Sequence, residues 1–489
     1  MSTRRHSQSG RKNAQLPPAR AAALSALDKV LRKGQEVQAA LDAVLANAAA
    51  HNEADTLATA SDTPAKSSTH TQRTPTPASP DGSALRHAGI SRQDAALATE
   101  LVYGYLRSEI RISWLLRRFL KAPEKLPPEA LLALGVAAHE IVHLDRIPDY
   151  AAVDWAVTHI RQRFGDGLGK LANAVLRNVA RLGGAARDAE LYRTELPDPA
   201  AFLSVYHAAP RWLVDLWCDA YGPDRAEALL AASAQPPAPA VRVNAAREGW
   251  QALRDRLAAD HGGTLCGHAG VVFPVGGFPA EVAALEREGL LSRQGAASQE
   301  VLDALRPETW EGPVWDACCG RGGKALGLLE RGVDVRLCSD PNAGRLRGLR
   351  TDAARLGLAV SAVARASAMQ PPFSADACRT ILIDAPCSGL GTLSRRPDIK
   401  LRRTPADLDA LAALQARILD AAAGALPSGG RIAYITCTLN PQESEAQVER
   451  LRAARGATGG PLFTVEAQHV TPVESPAREF FFGVLLRKA

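Results

Sequence analysis

The segment Val314-Trp-Asp-Ala-Cys-Cys-Gly-Arg-Gly-Gly-Lys324 decides the fold of the last third of this chain. Its apolar start predicts a strand, its glycines predict a tight turn, and residues 325–331 predict a helix. Glycine lets the backbone approach a ligand closely, and the N-terminus of a helix offers N–H groups without partners inside the helix. This order is typical of an open α/β sheet that binds a ligand where its strands end.

Residues 335–340 form a second strand-like run, which ends on Asp340. A carboxylate at this distance from the glycine-rich turn is placed to accept hydrogen bonds from ribose hydroxyls. A glycine-rich turn alone is a weak signal, because such turns also serve the plain packing of a helix on a strand. The turn and Asp340 together predict a pocket for a nucleoside cofactor.

Two cysteines follow later strand-like runs. Residues 381–384 precede Pro386 and Cys387, and residues 431–436 precede Cys437. Because parallel strands end at the same edge of a sheet, we expect both thiols to face one crevice. A lone buried cysteine more often fills space in a core. A deprotonated thiol, however, is the strongest common protein nucleophile, so this pair predicts nucleophilic chemistry.

On these motifs, residues 295–489 resemble the Sun-type family of RNA cytosine-5 methyltransferases. The resemblance rests on the segments Asp316–Lys324, Asp384–Gly391, Arg395–Lys400 and Tyr434–Glu445. It implies a Rossmann-like class I methyltransferase domain with a seven-stranded, mostly parallel sheet. It also implies an enzyme that transfers a methyl group from S-adenosylmethionine to carbon 5 of a cytosine in RNA.

The resemblance assigns roles to individual residues. Cys437 is the nucleophile that adds to carbon 6 of the base, Cys387 assists breakdown of the adduct, and Asp384 recognises the base. The implied cofactor-binding residues are Asp316, Cys318, Cys319, Gly320, Arg321, Gly322, Gly323, Lys324, Asp340 and Asp384.

Two alternatives stay open at this stage. DNA cytosine-5 methyltransferases use a Pro-Cys thiol as nucleophile, which would favour Cys387, but the Glu-Asn-Val element that normally follows is absent here. Residues 363–369 carry no acidic side chain where the family usually has a carboxylate for adenine. That absence allows a second hypothesis, a non-catalytic RNA-binding or ribosome-assembly factor on a decayed methyltransferase scaffold.

The first third of the chain has helical patterning. Apolar residues recur at helical spacing over residues 19–47, with a break near Gly34, and again from Ser91 onward. Further helices are predicted around residues 112–120, 130–144, 151–164 and 168–182. The phrases Leu101–Arg107, His139–Pro148 and Asn173–Asn178 resemble the NusB-type RNA-binding domain, which implies an all-α domain over residues 19–184.

Three other segments complete the predicted organisation. Residues 1–18 form a basic tail, and residues 51–90 are a Ser-, Thr-, Ala- and Pro-rich insertion predicted to be disordered. Residues 185–294 are predicted to be a linker and a small RNA-gripping subdomain that precedes the catalytic part.

Composition agrees with these predictions. The 489 residues carry a net charge of +6, which permits an RNA partner without demanding one. No apolar run is long enough to span a membrane, and the eight cysteines contain no Cys-x-x-Cys pair. We therefore predict a cytoplasmic, metal-free and monomeric protein whose partner is RNA, with small-subunit ribosomal RNA as the predicted substrate.

Overall fold

A computed structural model describes residues 16–47, 90–373, 377–454 and 460–489. The chain divides into two compact units, one through Ala208 and the other from Ala209 to Ala489. Most of the predicted basic tail and all of the predicted insertion except Ile90 lie outside the described residues. The domain boundaries predicted at residues 184 and 294 stay predictions. Over the described ranges, no helix has both the length and the apolar character needed to cross a bilayer.

The first unit is built of helices. They are α1 (Pro18–Lys33), α2 (37–47), α3 (Arg92–Arg117), α4 (Pro128–His143), α5 (Asp149–Phe164), α6 (Asp166–Leu182), α7 (Ala189–Glu195) and α8 (Pro199–Tyr206). The predicted break is confirmed at Gly34, whose φ of 65° ends α1 in the left-handed conformation that glycine adopts at little cost. Residues 112–117 are helical, as predicted, but they do not form a separate helix. They continue α3 as far as Arg117, because no proline interrupts the chain between the two patterns.

His139 and His143, one turn apart on α4, are packing residues. Their rings lie 5.0 Å apart, and His139 Nδ1 shares a hydrogen bond with the Ser108 hydroxyl at 2.8 Å. A Cβ on Gly104 would lie 2.5 Å from His139 Nε2, so α3 and α4 meet closely here. Burial lowers the pKa of both imidazoles, which keeps them neutral. Within the described ranges, no group of three or more His, Cys, Asp or Glu side chains is arranged to hold a metal ion.

The second unit begins with a small antiparallel sheet. Its strands are β1 (Ala240–Val243), β2 (Thr264–Cys266), β3 (Gly270–Val272) and β4 (Leu291–Arg293), in the order β2-β3-β1-β4. The accompanying helices are α9 (Arg211–Tyr221), α10 (Pro223–Ser233), α11 (Trp250–Asp260) and α12 (Val282–Arg287). The prolines within residues 236–239 indicate a turn that leads into β1, whereas β2, β3 and β4 have no signal in the sequence, because strands of three residues are too short to show alternation.

The larger sheet confirms the predicted fold class. Its seven strands are β5 (Val314–Asp316), β6 (Val335–Ser339), β7 (Ala362–Ala364), β8 (Thr380–Asp384), β9 (Arg431–Thr436), β10 (Phe463–Val470) and β11 (Phe482–Lys488). Their order is β10-β11-β9-β8-β5-β6-β7. Strands β5 to β9 pair in parallel, whereas β11 is antiparallel to both of its neighbours. The main helices of this part are α13 (Ala296–Ala304), α14 (Gly323–Glu330), α15 (Ala343–Leu356), α16 (Ile399–Arg402), α17 (Pro405–Ala425) and α18 (Glu445–Ala453).

A buried ion pair ties the small sheet to α14. Arg242 on β1 donates from Nε and Nη2 to the Glu330 carboxylate at 2.7 and 3.0 Å. Its Nη1 donates to the carbonyl of Gly323, the first residue of α14, at 2.8 Å. Both charged side chains are almost fully buried. The start of the helix that follows the glycine-rich turn is therefore fixed by a residue of the preceding sheet.

Replacing Arg242 with methionine is expected to lower the free energy of unfolding by about 3–5 kcal/mol, because the Glu330 carboxylate stays buried without its partner. Urea unfolding followed by tryptophan fluorescence measures the loss. The double variant Arg242→Met/Glu330→Leu removes the orphaned charge and should recover most of that stability. Equal stability of the single and double variants would contradict this account.

Candidate active site

The predicted site residues follow four neighbouring strands. Strands β9, β8, β5 and β6 are adjacent and parallel, so their carboxyl ends lie at one edge of the sheet. Asp316 and Asp384 are the last residues of β5 and β8, whereas Asp340 and Cys437 come directly after β6 and β9. This is the edge where ligands bind in open α/β sheets.

The turn between β5 and α14 has the backbone that its glycines predict. Gly320 and Gly322 have φ values of 55° and 88°. A Cβ on Gly322 would also lie 3.0 Å from Leu349, so both conformation and space require glycine there. A Cβ on Gly320 would meet nothing within 4 Å, so the turn is open above this residue.

Asp340 connects the glycine-rich turn to the end of β6. Its Oδ2 accepts a hydrogen bond from the Gly320 N–H at 3.2 Å, and its Oδ1 accepts one from the Asn342 N–H at 2.7 Å. The carboxylate is almost fully buried. Asp340 thus fixes the shape of the turn, as well as standing where a ribose-binding carboxylate was predicted.

Asp316 has an unusual environment at the end of β5. Its Oδ1 accepts a hydrogen bond from the Cys318 N–H at 3.3 Å, whereas its buried Oδ2 has no hydrogen-bond partner. Burial, followed by the nearby charge of Asp384, raises the pKa of Asp316 to about 8. The carboxyl group therefore holds a proton near neutral pH unless a cation comes close.

Lys324 and Asp384 form an ion pair at the centre of this edge. Lys324 Nζ lies 2.6 Å from Asp384 Oδ2 and 5.5 Å from the centre of the Phe481 ring. The lysine side chain is 5% exposed and the aspartate side chain 36%, so Asp384 is the member that an incoming ligand can reach. The sequence assigned both residues to the site but did not predict their pairing.

The two predicted thiols lie side by side. Cys387 Sγ and Cys437 Sγ are 3.2 Å apart, and both residues are partly exposed. The hydrogen bond shared with Cys437, together with burial, holds the pKa of the Cys387 thiol well above its usual value. Cys387 therefore keeps its proton near neutral pH.

Two of the predicted cofactor residues have side chains directed elsewhere. The Arg321 guanidinium packs over Gly348 on α15, 3.0 Å from where a Cβ would stand, and pairs with Asp352 at 3.3 Å. The Cys319 side chain is buried in the hydrophobic core beneath the turn. In residues 363–369, Ser367 accepts a hydrogen bond from the Met369 N–H, and no carboxylate is present.

Sequence reasoning missed the polar residues that hold the thiols in place. Glu443 and Gln415 are fully buried behind Cys387, and Ser388 shares a 2.9 Å hydrogen bond with Thr438. Glu443 lies in a segment that carried the family resemblance, although no role was assigned to it. Gln415 lies within α17 and has no signal in the sequence.

The sheet order, the glycine-rich turn and the acids that follow β5 and β6 define a class I, S-adenosylmethionine-dependent methyltransferase. A sequence profile described as "16S rRNA methyltransferase RsmB/F" matches residues 302–477. Profiles of the NusB family and of the RsmF/B-like ferredoxin-like domain match residues 63–181 and 209–264. The chain belongs to the RsmB/F family of RNA cytosine-5 methyltransferases, and the resemblance inferred from its motifs is confirmed.

Similarity to curated relatives extends over most of the chain. The "ribosomal RNA small subunit methyltransferase B" of Pseudomonas syringae pv. tomato is 34% identical over 411 residues, covering 78% of this chain and 86% of that protein. The "probable ribosomal RNA small subunit methyltransferase B" of Bacillus subtilis is 31% identical over 379 residues, covering 74% and 81%. A crystal structure of a protein called PH0851 has a TM-score of 0.66 at 18% identity, with 98% of this chain and 100% of that one covered, which indicates a shared fold.

Proposed function

We propose that this protein methylates carbon 5 of a cytosine in 16S ribosomal RNA through a covalent adduct between Cys437 and carbon 6 of the base. The observation that carries the proposal is the pair of sulfurs, 3.2 Å apart, at the sheet edge that also holds Asp384. The names of the curated relatives support small-subunit ribosomal RNA as the substrate.

The chemistry explains why a thiolate is needed. Carbon 5 of cytosine is a poor nucleophile until the Cys437 thiolate forms a bond to carbon 6 and shifts the double-bond electrons toward carbon 5. When bound, S-adenosylmethionine would supply the methyl group to carbon 5, and the electron pair of its broken sulfur–methyl bond would stay on the cofactor sulfur. The carbon-5 proton leaves to a base, its bonding pair restores the double bond, and the carbon–sulfur pair returns to Cys437.

The state of the two thiols supports this division of roles. A thiol whose pKa is raised keeps its proton, so Cys387 can donate an S–H hydrogen bond to Cys437. That bond stabilises a thiolate on Cys437 before attack and again when the adduct breaks down.

Asp384 is proposed to hold the target base. Its carboxylate is partly exposed and can accept a hydrogen bond from the exocyclic amine of a cytosine that has been swung out of its stack. The neighbouring Lys324 ammonium keeps this carboxylate oriented through the 2.6 Å ion pair. The base would then lie beside the two thiols, which follow β8 and β9.

The cofactor pocket has the charge that a sulfonium cofactor requires. Asp316, Asp340 and Asp384 are close enough to influence one another electrostatically, and Asp316 Oδ2 is buried without a hydrogen-bond partner. The open turn above Gly320 leaves room for a ligand against the backbone. These features fit S-adenosylmethionine, whose sulfonium and ammonium groups are both positive; Asp316, Asp340 and the turn 318–324 would hold it.

Binding of S-adenosylmethionine is expected to release up to about one proton near pH 7, because the cation stabilises the ionised form of Asp316, whose pKa is about 8 without it. Affinity for S-adenosylmethionine should therefore rise from about pH 6 to about pH 8, because a growing fraction of Asp316 is already ionised before the cofactor binds. Calorimetry in buffers of different ionisation enthalpy measures the release. The variant Asp316→Asn should lose this part of the pH dependence, and the same release in both proteins would contradict the assignment.

The partner and cellular setting follow from the same proposal. RNA would be held through its phosphates and 2′-hydroxyls by the basic residues of the helical unit. All eight cysteines are unpaired, which suits the reducing cytoplasm in which ribosomal RNA is modified. A monomer is proposed as the working state.

Incubation of the protein with labelled S-adenosylmethionine and 16S ribosomal RNA that lacks its 5-methylcytidines tests the proposal. Nucleoside mass spectrometry should find one 5-methylcytidine formed per RNA. Absence of methylation on free RNA and on small subunits alike would overturn the substrate assignment. Absence of cofactor binding by calorimetry would instead favour the non-catalytic RNA-binding or assembly factor, which the missing carboxylate at residues 363–369 allows.

A further inference from the structure

A fully buried carboxylate, that of Glu443, lies behind the two thiols. Its Oε2 accepts hydrogen bonds from the Ser388 N–H at 2.8 Å and from Gln415 Nε2 at 2.9 Å. Its Oε1 accepts one from Asn440 Nδ2 at 3.0 Å. Each of these three partners is an N–H donor, so the group is used as a carboxylate that accepts at both oxygens. A carboxylate out of contact with water is costly unless it is held in this way.

Hydrogen bonds connect Glu443 to the residues on both sides of Cys387. Ser388, the residue after Cys387, donates directly to the carboxylate. Gln415 Nε2 donates to the carboxylate and also to the carbonyl of Pro386, the residue before Cys387, at 2.9 Å. The turn that carries Cys387 is therefore fixed to Glu443 by one direct contact and one contact through Gln415.

Glu443 is also fixed to the strand of Cys437. Its carbonyl accepts a hydrogen bond from the hydroxyl of Tyr434 on β9 at 2.6 Å. The Asn440 side chain that donates to its carboxylate lies three residues after Cys437. Glu443 therefore connects the two segments whose sulfurs lie 3.2 Å apart.

We propose that Glu443 is a positioning residue that sets the distance between the two sulfurs and, as a negative charge behind Cys387, assigns the thiolate to Cys437. The direction of the electrostatic effect agrees with this role, because the charge of Glu443 is one cause of the raised pKa of Cys387. The carboxylate touches neither substrate nor cofactor. It acts through Cys387, and its catalytic consequence rests on the function proposed above.

The test compares Glu443→Gln, which removes the charge but keeps the shape, with Gln415→Met, which removes the contacts to Pro386 and to the Glu443 carboxylate but keeps the charge. In Glu443→Gln, limited labelling with iodoacetamide near neutral pH should move toward Cys387, raising the ratio of Cys387 to Cys437 labelling about tenfold over wild type. In Gln415→Met that ratio should stay within about twofold. Peptide mass spectrometry gives both ratios.

Comparison of kcat with KM distinguishes a role of Glu443 in positioning the thiols from a role in binding substrate or cofactor. Both variants should lower kcat for methylation, by about 10- to 100-fold, because a displaced reacting group loses its alignment. The KM values for S-adenosylmethionine and RNA should stay within about twofold. A Glu443→Gln variant with wild-type labelling, or with a raised KM and an unchanged kcat, would overturn the proposal.

Two controls separate a failure of this proposal from a folding defect and from a failure of the proposed function. If Glu443→Gln does not bind S-adenosylmethionine like the wild type, Glu443→Asp replaces it; this variant keeps the charge but shortens its reach, so it should lower kcat while labelling stays on Cys437. Loss of that selectivity, or an unchanged kcat, would overturn the proposal. The labelling experiment needs no RNA, so it still decides the role of Glu443 toward the thiols if the wild type leaves 16S ribosomal RNA unmethylated.

Discussion

Replacing Cys437 with alanine is expected to abolish methyl transfer, with kcat at least about 10⁴-fold lower, because the variant has no sulfur to add to carbon 6 of the base. The same variant should form no denaturation-resistant adduct with RNA. Affinity for S-adenosylmethionine should be little changed, since Cys437 is not among the residues assigned to the cofactor. Labelled methyl incorporation and a denaturing gel measure the two losses.

A matched thiol control is available on α9. Cys218 is a partly exposed thiol in the second unit, and Cys218→Ala should leave methylation within about twofold of wild type. If Cys437→Ala kept its activity or its adduct, the nucleophile would be Cys387, as in DNA cytosine-5 methyltransferases. The 3.2 Å distance between the sulfurs would allow that reversal, so the experiment is decisive.

Replacing Cys387 with alanine is expected to have the opposite effect on the adduct. Cys437 can still attack, but the S–H donor that stabilises its departure is gone, so the adduct should accumulate and survive denaturation. Multiple-turnover methylation should fall by at least about 10²-fold, the size of effect typical for loss of a hydrogen-bond donor to a group on which negative charge develops. A shifted protein band that carries RNA in stoichiometric amounts is the measurement.

The double variant tests which thiol forms the adduct and which one releases it. Adding Cys437→Ala to Cys387→Ala should remove the accumulated band completely. Persistence of the band in the double variant would show that another nucleophile forms it. Cys387→Ser keeps a hydroxyl donor at the same place, so its release rate should lie between that of the wild type and that of Cys387→Ala.

The catalytic sheet could be predicted from the sequence because its signals are local. Each of β5, β6, β8 and β9 is a mostly apolar run that ends on a polar residue, and parallel pairing brings those ends together. That rule alone was enough to expect Cys387 and Cys437 in one crevice. Helices α1 to α6 of the first unit were likewise predicted from their apolar periodicity, apart from the continuation of α3 through residue 112, whereas α7 and α8 were not predicted.

The parts that escaped prediction depend on contacts distant in the sequence. Strands β2, β3 and β4 have three residues each, and their pairing with β1 is a property of the whole subdomain. The Arg242–Glu330 pair joins residues 88 positions apart, and Lys324–Asp384 joins residues 60 positions apart. A charged side chain that becomes buried needs a partner of opposite charge, but the sequence does not show which residue supplies that partner.

The position of β11 has a consequence for how the protein is made. β11 lies between β9 and β10 and supplies the antiparallel neighbour of the strand that leads to Cys437, although the ribosome makes it after both of them. A nascent chain that already contains every residue assigned to the site still leaves β9 as an open edge until residues 482–488 emerge. Synthesis therefore leaves the strand that leads to Cys437 without its antiparallel neighbour until β11 has emerged.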